Sequence, residues 1–251
     1  MSYRLTSDPS ESIRRIEKIL LMLRFVWRFP RRTGGWPKYE YLKPWLAEYT
    51  PSTVVDVGVN HGQFLHLAAG LWPDAVIVGI EPNASLAEQV AGAYEGNPNI
   101  RLEACAVGNS EGEIELFVTR NDQNSSIHKP TEAFHDDRSG DGVVGTEKVP
   151  LRRLADVLDG CAGPMLVKID VQGAELEVLE GLGDRLDDVG VIVIEAPFED
   201  AYEGAAGFDE IYRYLTARGF AYEGALGQLN SRHTGRVRQE DSIYVRRATG
   251  R

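Results

Sequence analysis

From residue 53 onwards, short apolar runs alternate with segments whose apolar residues recur every three or four positions. The runs are rich in Val and Ile, which predicts strands, whereas the periodic segments predict amphipathic helices. The predicted strands cover residues 53–58, 75–81, 100–107, 164–170 and 189–196. The predicted helices cover residues 62–72, 84–94, 151–158, 174–182 and 208–219. Two last strands, 220–226 and 241–247, predict an antiparallel hairpin.

The order of these elements indicates the fold class. The apolar runs do not alternate with polar residues, so both faces of each strand are expected to be covered. Helices between successive strands imply parallel pairing. We therefore expect an α/β fold with a doubly wound sheet that ends in an antiparallel pair.

Residues 112–119 predict an additional strand that pairs nearby, and residues 120–146 form a long polar stretch with little periodicity. That stretch is too long for a plain connection, and such loops commonly act as lids or binding loops. We expect Ser125 and Ser126 within it to fold over a cofactor or substrate.

Apolar residues at helical spacing also predict an amphipathic helix near the start of the chain, followed by a second helix over residues 39–49. We interpret the first helix as packing on the domain or on a second subunit, which would allow a homodimer. A lid or a membrane-surface helix is the alternative. The apolar stretch 19–29 contains Arg24 and Arg28 and is too short to span a bilayer, so no transmembrane segment is expected.

Charge and cysteine content narrow the functional classes. The net charge is −11, with 38 acidic and 27 basic residues, which disfavours general nucleic-acid binding because phosphate contacts require clustered Lys and Arg. Residues 1–35 carry +5 and the remainder −16. Two cysteines, Cys105 and Cys161, do not form a disulfide framework, which indicates a reducing compartment such as the cytoplasm.

Acidic residues occupy the ends of several predicted strands, where open α/β sheets bind their ligands. Asp56, Glu81, Asp170 and Glu195 hold these positions. Gly58 and Gly62 follow the first strand at a spacing that differs from the GxGxxG dinucleotide loop. An acidic residue just before them would repel phosphate but suits a positively charged ligand, such as the amino group of S-adenosylmethionine (SAM). A carboxylate at the end of the second strand can accept the hydroxyl protons of its ribose.

Several of these segments resemble the FkbM family of SAM-dependent methyltransferases over roughly residues 40–250. They are "VVDVGVNHGQF", "VGIEPN", "AVGNSEGEIELFV", "SSI" and, most specifically, "VKIDVQGAELEVLEGL". The resemblance implies a Rossmann-like class I methyltransferase sheet of seven strands with the last strand antiparallel. It also implies O-methylation of a hydroxyl group, often on sugars or polyketide-type small molecules. Residues 1–50 would then be an N-terminal helical extension, and residues 51–251 the methyltransferase domain.

The resemblance also assigns residues to the cofactor by motif. The methionine moiety would be held by Asp56, Gly58, Asn60 and Gly62. The ribose would be held by Glu81, with Asn83 close by. Ala106 would flank the adenine. The catalytic mouth would be lined by Asp170, Val171 and Gln172.

A sugar hydroxyl is a poor nucleophile, so a general base or a metal ion is expected to assist it. Asp170 is the first candidate for the base, although it could instead cap the following helix. Glu195 could be a base, a metal ligand or a substrate clamp. Lys168 lies two residues before Asp170 in an apolar strand and so points to the same side, where it could act in catalysis or form an ion pair with a neighbouring carboxylate.

Three histidines and a metal site complete the candidates. His128 and His135 lie in the long polar stretch, and His233 lies in the final hairpin turn, which is expected to overhang the strand ends. Mg²⁺ could be bound by Asp170, Glu195 and a loop carboxylate such as Asp136 or Asp137, because hard oxygen ligands suit it.

The sequence therefore predicts a small-molecule O-methyltransferase with a sugar or glycoside as acceptor, since an acidic surface and a polar loop suit a neutral polyol. A non-catalytic SAM-binding or scaffold protein is one alternative. An NAD-linked oxidoreductase is another, which the glycine spacing disfavours.

Overall fold

The structure, a computed structural model, describes residues 43–120, 124–131, 142–199, 201–231 and 233–247. The predicted first helix lies outside these residues, as do the candidates His135, Asp136 and Asp137. Of the predicted second helix, the described part forms α1, Pro44–Glu48. Within the described ranges, no helix has both the length and the apolar content needed to cross a lipid bilayer.

Seven strands form the main sheet. They are β1 (Thr53–Val57), β2 (Val76–Ile80), β3 (Ile100–Glu103), β7 (Met165–Ile169), β8 (Val189–Pro197), β9 (Phe220–Asn230) and β10 (Val237–Arg246). Their order is β3-β2-β1-β7-β8-β10-β9, and β10 runs antiparallel to both of its neighbours while the pairs from β3 to β8 are parallel. This arrangement confirms the class I methyltransferase sheet, including the antiparallel last strand.

The main sheet is covered on both faces, as expected from its unbroken apolar strands. The helices after α1 are α2 (Gln63–Leu71), α3 (Ala84–Gly92), α4 (Leu154–Val157), α5 (Glu175–Gly181) and α6 (Phe208–Thr216). One buried cluster joins Val55 of β1 to Val178 of α5 and Ile211 of α6. The opposite cluster joins Val54 to Leu46 of α1 and Phe64 of α2. The neighbouring side chains Val54 and Val55 thus enter different cores, because successive strand residues point to opposite faces.

A second sheet corrects two predictions. Residues 100–107 are not one strand: β3 ends at Glu103, and β4 (Ala106–Gly108) pairs with β6 (Val143–Arg153) in a three-stranded sheet that also contains β5 (Gly112–Thr119). Residues 151–158 are not one helix either, because the first three belong to β6 and only α4 is helical. Pairing of Leu151 with both β4 and β5 overrides the local helical pattern.

The predicted C-terminal hairpin is present and longer than the sequence pattern indicated. β10 pairs with β8 so that Asp241 lies opposite Glu195 and Gln239 lies opposite Pro197. Since the two strands are antiparallel, the turn before β10 projects past the carboxyl end of β8. The hairpin therefore overhangs the edge of the sheet where the acidic residues lie.

Candidate active site

Strand register places the charged residues on one face of the sheet at its carboxyl edge. Asp56 of β1 pairs with Lys168 of β7, and Lys168 pairs in turn with Val193 of β8. Glu195 lies two residues beyond Val193 and therefore points to the same face as Lys168. Paired residues share a face, so Asp241 of β10 joins them from the far side of Glu195.

Glu81 follows β2 and is fixed by the backbone around it. One carboxylate oxygen accepts the N–H of Asn60 and the other accepts the N–H of Asn83, both at 2.9 Å. Burial raises the pKa of the Glu81 carboxyl, and these two N–H groups oppose that rise. Each oxygen retains a free lone pair, so the carboxylate can accept two adjacent hydroxyl groups, as a ribose presents them.

The loop after β1 requires its glycines for a steric reason. Gly58 has φ +80°, and a Cβ there would lie 1.9 Å from the carbonyl oxygen of Asp170. Asn60 also adopts positive φ, at 50°, and Gly62 precedes α2 with φ +81°. The loop therefore folds tightly against the end of β7 and brings its backbone next to Glu81.

Lys168 and Asp56 form a buried ion pair. The Nζ of Lys168 lies 3.3 Å from Oδ1 of Asp56 and 3.6 Å from Oδ2 of Asp170, and it donates to the carbonyl oxygen of Gly58 at 3.0 Å. Burial raises the pKa of Asp56, and the lysine charge opposes that rise. Because Asp56 is 0% exposed, its carboxylate would act on a ligand only indirectly, through its contact with Lys168.

Gln172 joins the two candidate bases. Its Nε2 donates to Oδ1 of Asp170 at 2.8 Å and to Oε2 of Glu195 at 2.6 Å. Its Oε1 accepts the hydroxyl of Tyr202 at 2.9 Å. Gln172 has φ 59°, so this geometry depends on a turn that is unusual for a residue with a side chain.

Asp241 is a member of the site that sequence reasoning missed. One carboxylate oxygen each from Asp170, Glu195 and Asp241 lie within 4.8 Å of one another. Such a set of hard oxygen atoms could hold Mg²⁺. The Nε2 of Gln239 donates to Oε1 of Glu195. The sequence predicted the hairpin that contains Asp241. It did not predict the strand register that places Asp241 opposite Glu195.

Glu175, at the start of α5, is a second residue that sequence reasoning missed. It accepts the backbone N–H of Val171 at 3.1 Å through Oε1 and that of Gly173 at 3.0 Å through Oε2. Burial raises the pKa of its carboxyl to about 7. The Glu175 carboxyl therefore holds the backbone turn that carries Gln172. The sequence feature that could have identified this role is the position of Glu175 in the first turn of a helix that follows a glycine.

The polar segment after β5 approaches this turn. Ser126 donates from Oγ to the carbonyl oxygen of Gln172 at 2.5 Å, whereas Ser125 accepts the N–H of Thr119 at 3.3 Å. His128 lies 3.1 Å from Glu177 through Nε2 and 2.8 Å from the carbonyl oxygen of Glu203 through Nδ1. The hydrogen bond to Glu177 raises the pKa of its imidazole.

Three candidates remain to be placed. Ala106 is buried in the core of the small sheet with Leu116 and Val149. Val171 is half-buried and packs against the main core, and His233 is exposed in the turn of the hairpin.

Comparison with known proteins agrees with this architecture. The model of the methyltransferase FkbM domain matches residues 56–222. The chain belongs to the FkbM methyltransferase family. This membership confirms the resemblance inferred from the sequence motifs.

One methyltransferase and several solved structures also resemble this chain. The chain is 28% identical over 166 residues to methyltransferase sdnD of Sordaria araneosa, a match that covers 53% of this chain and 61% of that protein. The chain thus spans about three fifths of that relative's length. The O-methyltransferase TomG of Streptomyces achromogenes, solved with SAM, has 13% identity and a TM-score of 0.48, covering 97% of this chain and 92% of TomG. A putative O-methyltransferase of Klebsiella pneumoniae has 12% identity and a TM-score of 0.45 at the same two coverages.

Proposed function

We propose that this protein is a SAM-dependent O-methyltransferase that methylates a hydroxyl group of a small molecule, with a sugar or glycoside as the acceptor. One observation carries the proposal: carboxylates stand at the carboxyl ends of β2, β7 and β8, on one edge of a class I sheet. Glu81 is fixed to accept two hydroxyl groups, and Asp170 and Glu195 lie together further along that edge.

The chemistry of this edge suits SAM. The ligand carries a positively charged sulfonium and amino group, and acidic side chains favour both. Glu81 would bind the ribose, while the loop from Gly58 to Gly62 would bring backbone groups to the methionine moiety. SAM, when bound, supplies an activated methyl group on its sulfonium.

Asp170 and Glu195 would activate the acceptor. A carboxylate within hydrogen-bond reach of the acceptor hydroxyl would take its proton while the acceptor oxygen gains the methyl group, with the methyl–sulfur bond of SAM breaking to leave S-adenosylhomocysteine. We assign Asp170 as the first candidate for this base and Glu195 as the second. Lys168 touches Asp170 and would keep it ionised.

A hydroxyl-rich acceptor fits the polar groups around these bases. Asp241 and Gln239 lie on the overhanging hairpin next to Glu195. Such donors and acceptors can form hydrogen bonds to several hydroxyl groups of one substrate, whereas an apolar substrate would remove them from water without replacing those bonds. This supports a sugar-like acceptor over an apolar one.

Mg²⁺ at Asp170 and Glu195 stays a prediction, now extended to Asp241. The carboxylates suit a hard cation, but the amides of Gln172 and Gln239 already donate to the same groups. Activity that survives EDTA would exclude an exchangeable metal ion from the reaction. We also propose a cytoplasmic location and a homodimer. Size-exclusion chromatography of the full chain tests the homodimer directly.

The decisive experiment combines binding and turnover. Calorimetric titration with SAM, S-adenosylhomocysteine and NAD⁺ is expected to give binding of the first two only. A panel of sugars, glycosides and other polyols with labelled SAM should then identify an acceptor. Asp170→Asn is expected to lower turnover by about 10²–10⁴-fold while SAM still binds. The matched variant Asp159→Asn, at an exposed position, should leave turnover unchanged.

Two outcomes would contradict the proposal. Binding of NAD⁺ in place of SAM would favour the oxidoreductase alternative. Binding of SAM with no methyl transfer to any hydroxyl acceptor would favour a scaffold protein. Full turnover in Asp170→Asn would move the role of base to Glu195, whose own Gln variant then provides the test.

A further inference from the structure

We propose that Tyr202 and Gln172 are positioning residues that hold Asp170 and Glu195 together, side by side at the place where the acceptor hydroxyl would bind. The inference rests on the proposed function for its catalytic consequence. Its structural basis is the chain of hydrogen bonds from the Tyr202 hydroxyl, through the Gln172 amide, to both carboxylates. Sequence reasoning gave no role to Tyr202.

The orientation of the Gln172 side-chain amide sets the direction of each hydrogen bond from Tyr202 to the two carboxylates. Ionised carboxylates only accept hydrogen bonds, so the Gln172 Nε2 must face them and Oε1 must face away. In that orientation Oε1 meets the hydroxyl of Tyr202 at 2.9 Å, closer than the 3.3 Å that separates this hydroxyl from the carbonyl oxygen of Asn124. A reversed amide would place its oxygen against two carboxylates. The tyrosine hydroxyl therefore stabilises the orientation that the two carboxylates require.

The backbone around the amide is held from three sides. Ser126 donates to the carbonyl oxygen of Gln172, and Glu175 accepts the N–H groups on either side of it. Tyr202 packs on Gly173, where an added Cβ would lie 2.9 Å from the tyrosine Cβ. These contacts stabilise the left-handed conformation of Gln172, which costs energy at a residue with a side chain.

The bridging amide has an electrostatic consequence. Two carboxylates that share a site repel each other, and the amide offsets this repulsion because it donates one N–H to each of them. Lys168 from β7 lies next to Asp170, and Asp241 from β10 lies next to Glu195. Without the bridging amide, the two bases are expected to move apart.

Kinetics of single and double variants test the inference. Gln172→Met and Tyr202→Phe are each expected to lower kcat by about tenfold or more, with the Kd for SAM changed less than twofold. The double variant should be no slower than Gln172→Met alone, because the tyrosine acts through the amide. The KM for the acceptor should change less than kcat in both single variants, because the change displaces the bases and leaves the rest of the acceptor site in place. Tyr214→Phe, which removes a half-buried hydroxyl bonded to Leu179 on α5, is the matched control and should keep wild-type kinetics.

A second readout does not need activity. Because Tyr202 acts through the Gln172 amide, the urea midpoint of the double variant should equal that of Gln172→Met alone. Additive losses in the double variant, in kcat or in the urea midpoint, would overturn the inference. A non-additive midpoint in a protein that methylates no acceptor would support the inference and contradict the proposed function instead.

Discussion

Lys168 of β7 lies 3.3 Å from Asp56 of β1, and the two residues are direct partners in the register of the sheet. Both side chains are buried, at 7% and 0% exposure, which accounts for a lysine inside an apolar strand. Each charge is tolerated because the other compensates it. The pair also connects the centre of the sheet to the candidate base Asp170 and to the loop at Gly58.

Removal of the lysine should therefore be costly. Lys168→Met leaves the carboxylate of Asp56 buried without its cation, which is expected to lower the free energy of unfolding by about 3–5 kcal/mol. Urea denaturation measures this loss. The double variant Lys168→Met/Asp56→Asn should recover a large part of it, because no isolated charge remains. Equal destabilisation of the single and double variants would contradict the ion-pair explanation.

Glu81→Gln tests the cofactor contact. The amide keeps the shape of the carboxylate but loses the charge and one acceptor, so it no longer matches both the N–H groups of Asn60 and Asn83 and two ribose hydroxyls. We expect SAM affinity to fall by about 10–100-fold, corresponding to the loss of one or two hydrogen bonds to a charged group. Calorimetry gives the Kd. Glu88→Gln, at an exposed position on α3, is the control, and an equal loss in both variants would contradict the assignment.

Gly58→Ala separates a steric conflict from backbone strain. Gly58 and Gly96 have nearly equal φ, +80° and +83°, but a Cβ at Gly58 would strike the Asp170 carbonyl oxygen whereas one at Gly96 would meet nothing within 4 Å. Gly96→Ala is expected to cost about 1 kcal/mol from strain alone. Gly58→Ala should cost several times more, by about 3 kcal/mol or above, and should weaken SAM binding. Similar unfolding temperatures for the two variants would contradict this difference.

The main sheet was predictable because its apolar runs indicate strands covered on both faces, and the periodic segments between them indicate the helices that cover them. The small sheet was predictable only in part: residues 112–119 were expected to form a strand and do so as β5, but β4 and β6 were missed because they pair across long loops. Leu151 illustrates the problem: its local sequence favours a helix, but pairing with two strands places it in β6. The partners of Leu151 are Gly112 and Ala106, 39 and 45 positions away, so the pairing leaves no local periodicity.

Site residues at the ends of strands could be predicted from the sequence. Site residues whose position depends on strand register or on burial could not. Glu81, Asp170 and Glu195 could be found from their positions alone. Asp241 required the pairing of β10 with β8, and Tyr202 required a loop contact that no spacing rule reports. Burial of Asp56 was also invisible, since an acidic residue at a strand end ordinarily faces the ligand crevice.

Glu175 should make stability depend on pH in a direction opposite to that of most carboxylates. Burial raises its pKa from 4.5 to about 7 in the folded protein, so the folded state binds the proton more tightly than the unfolded state. The contribution of this group to stability is therefore complete below pH 4.5 and declines as the pH rises towards about 7. Glu175→Gln keeps an oxygen for the N–H groups of Val171 and Gly173 but cannot ionise, so it should gain about 1–3 kcal/mol relative to the wild-type protein between pH 4.5 and 8. Urea denaturation across that range measures the difference, and the exposed variant Glu180→Gln should not reproduce it; a difference independent of pH would mean that Glu175 is ionised throughout.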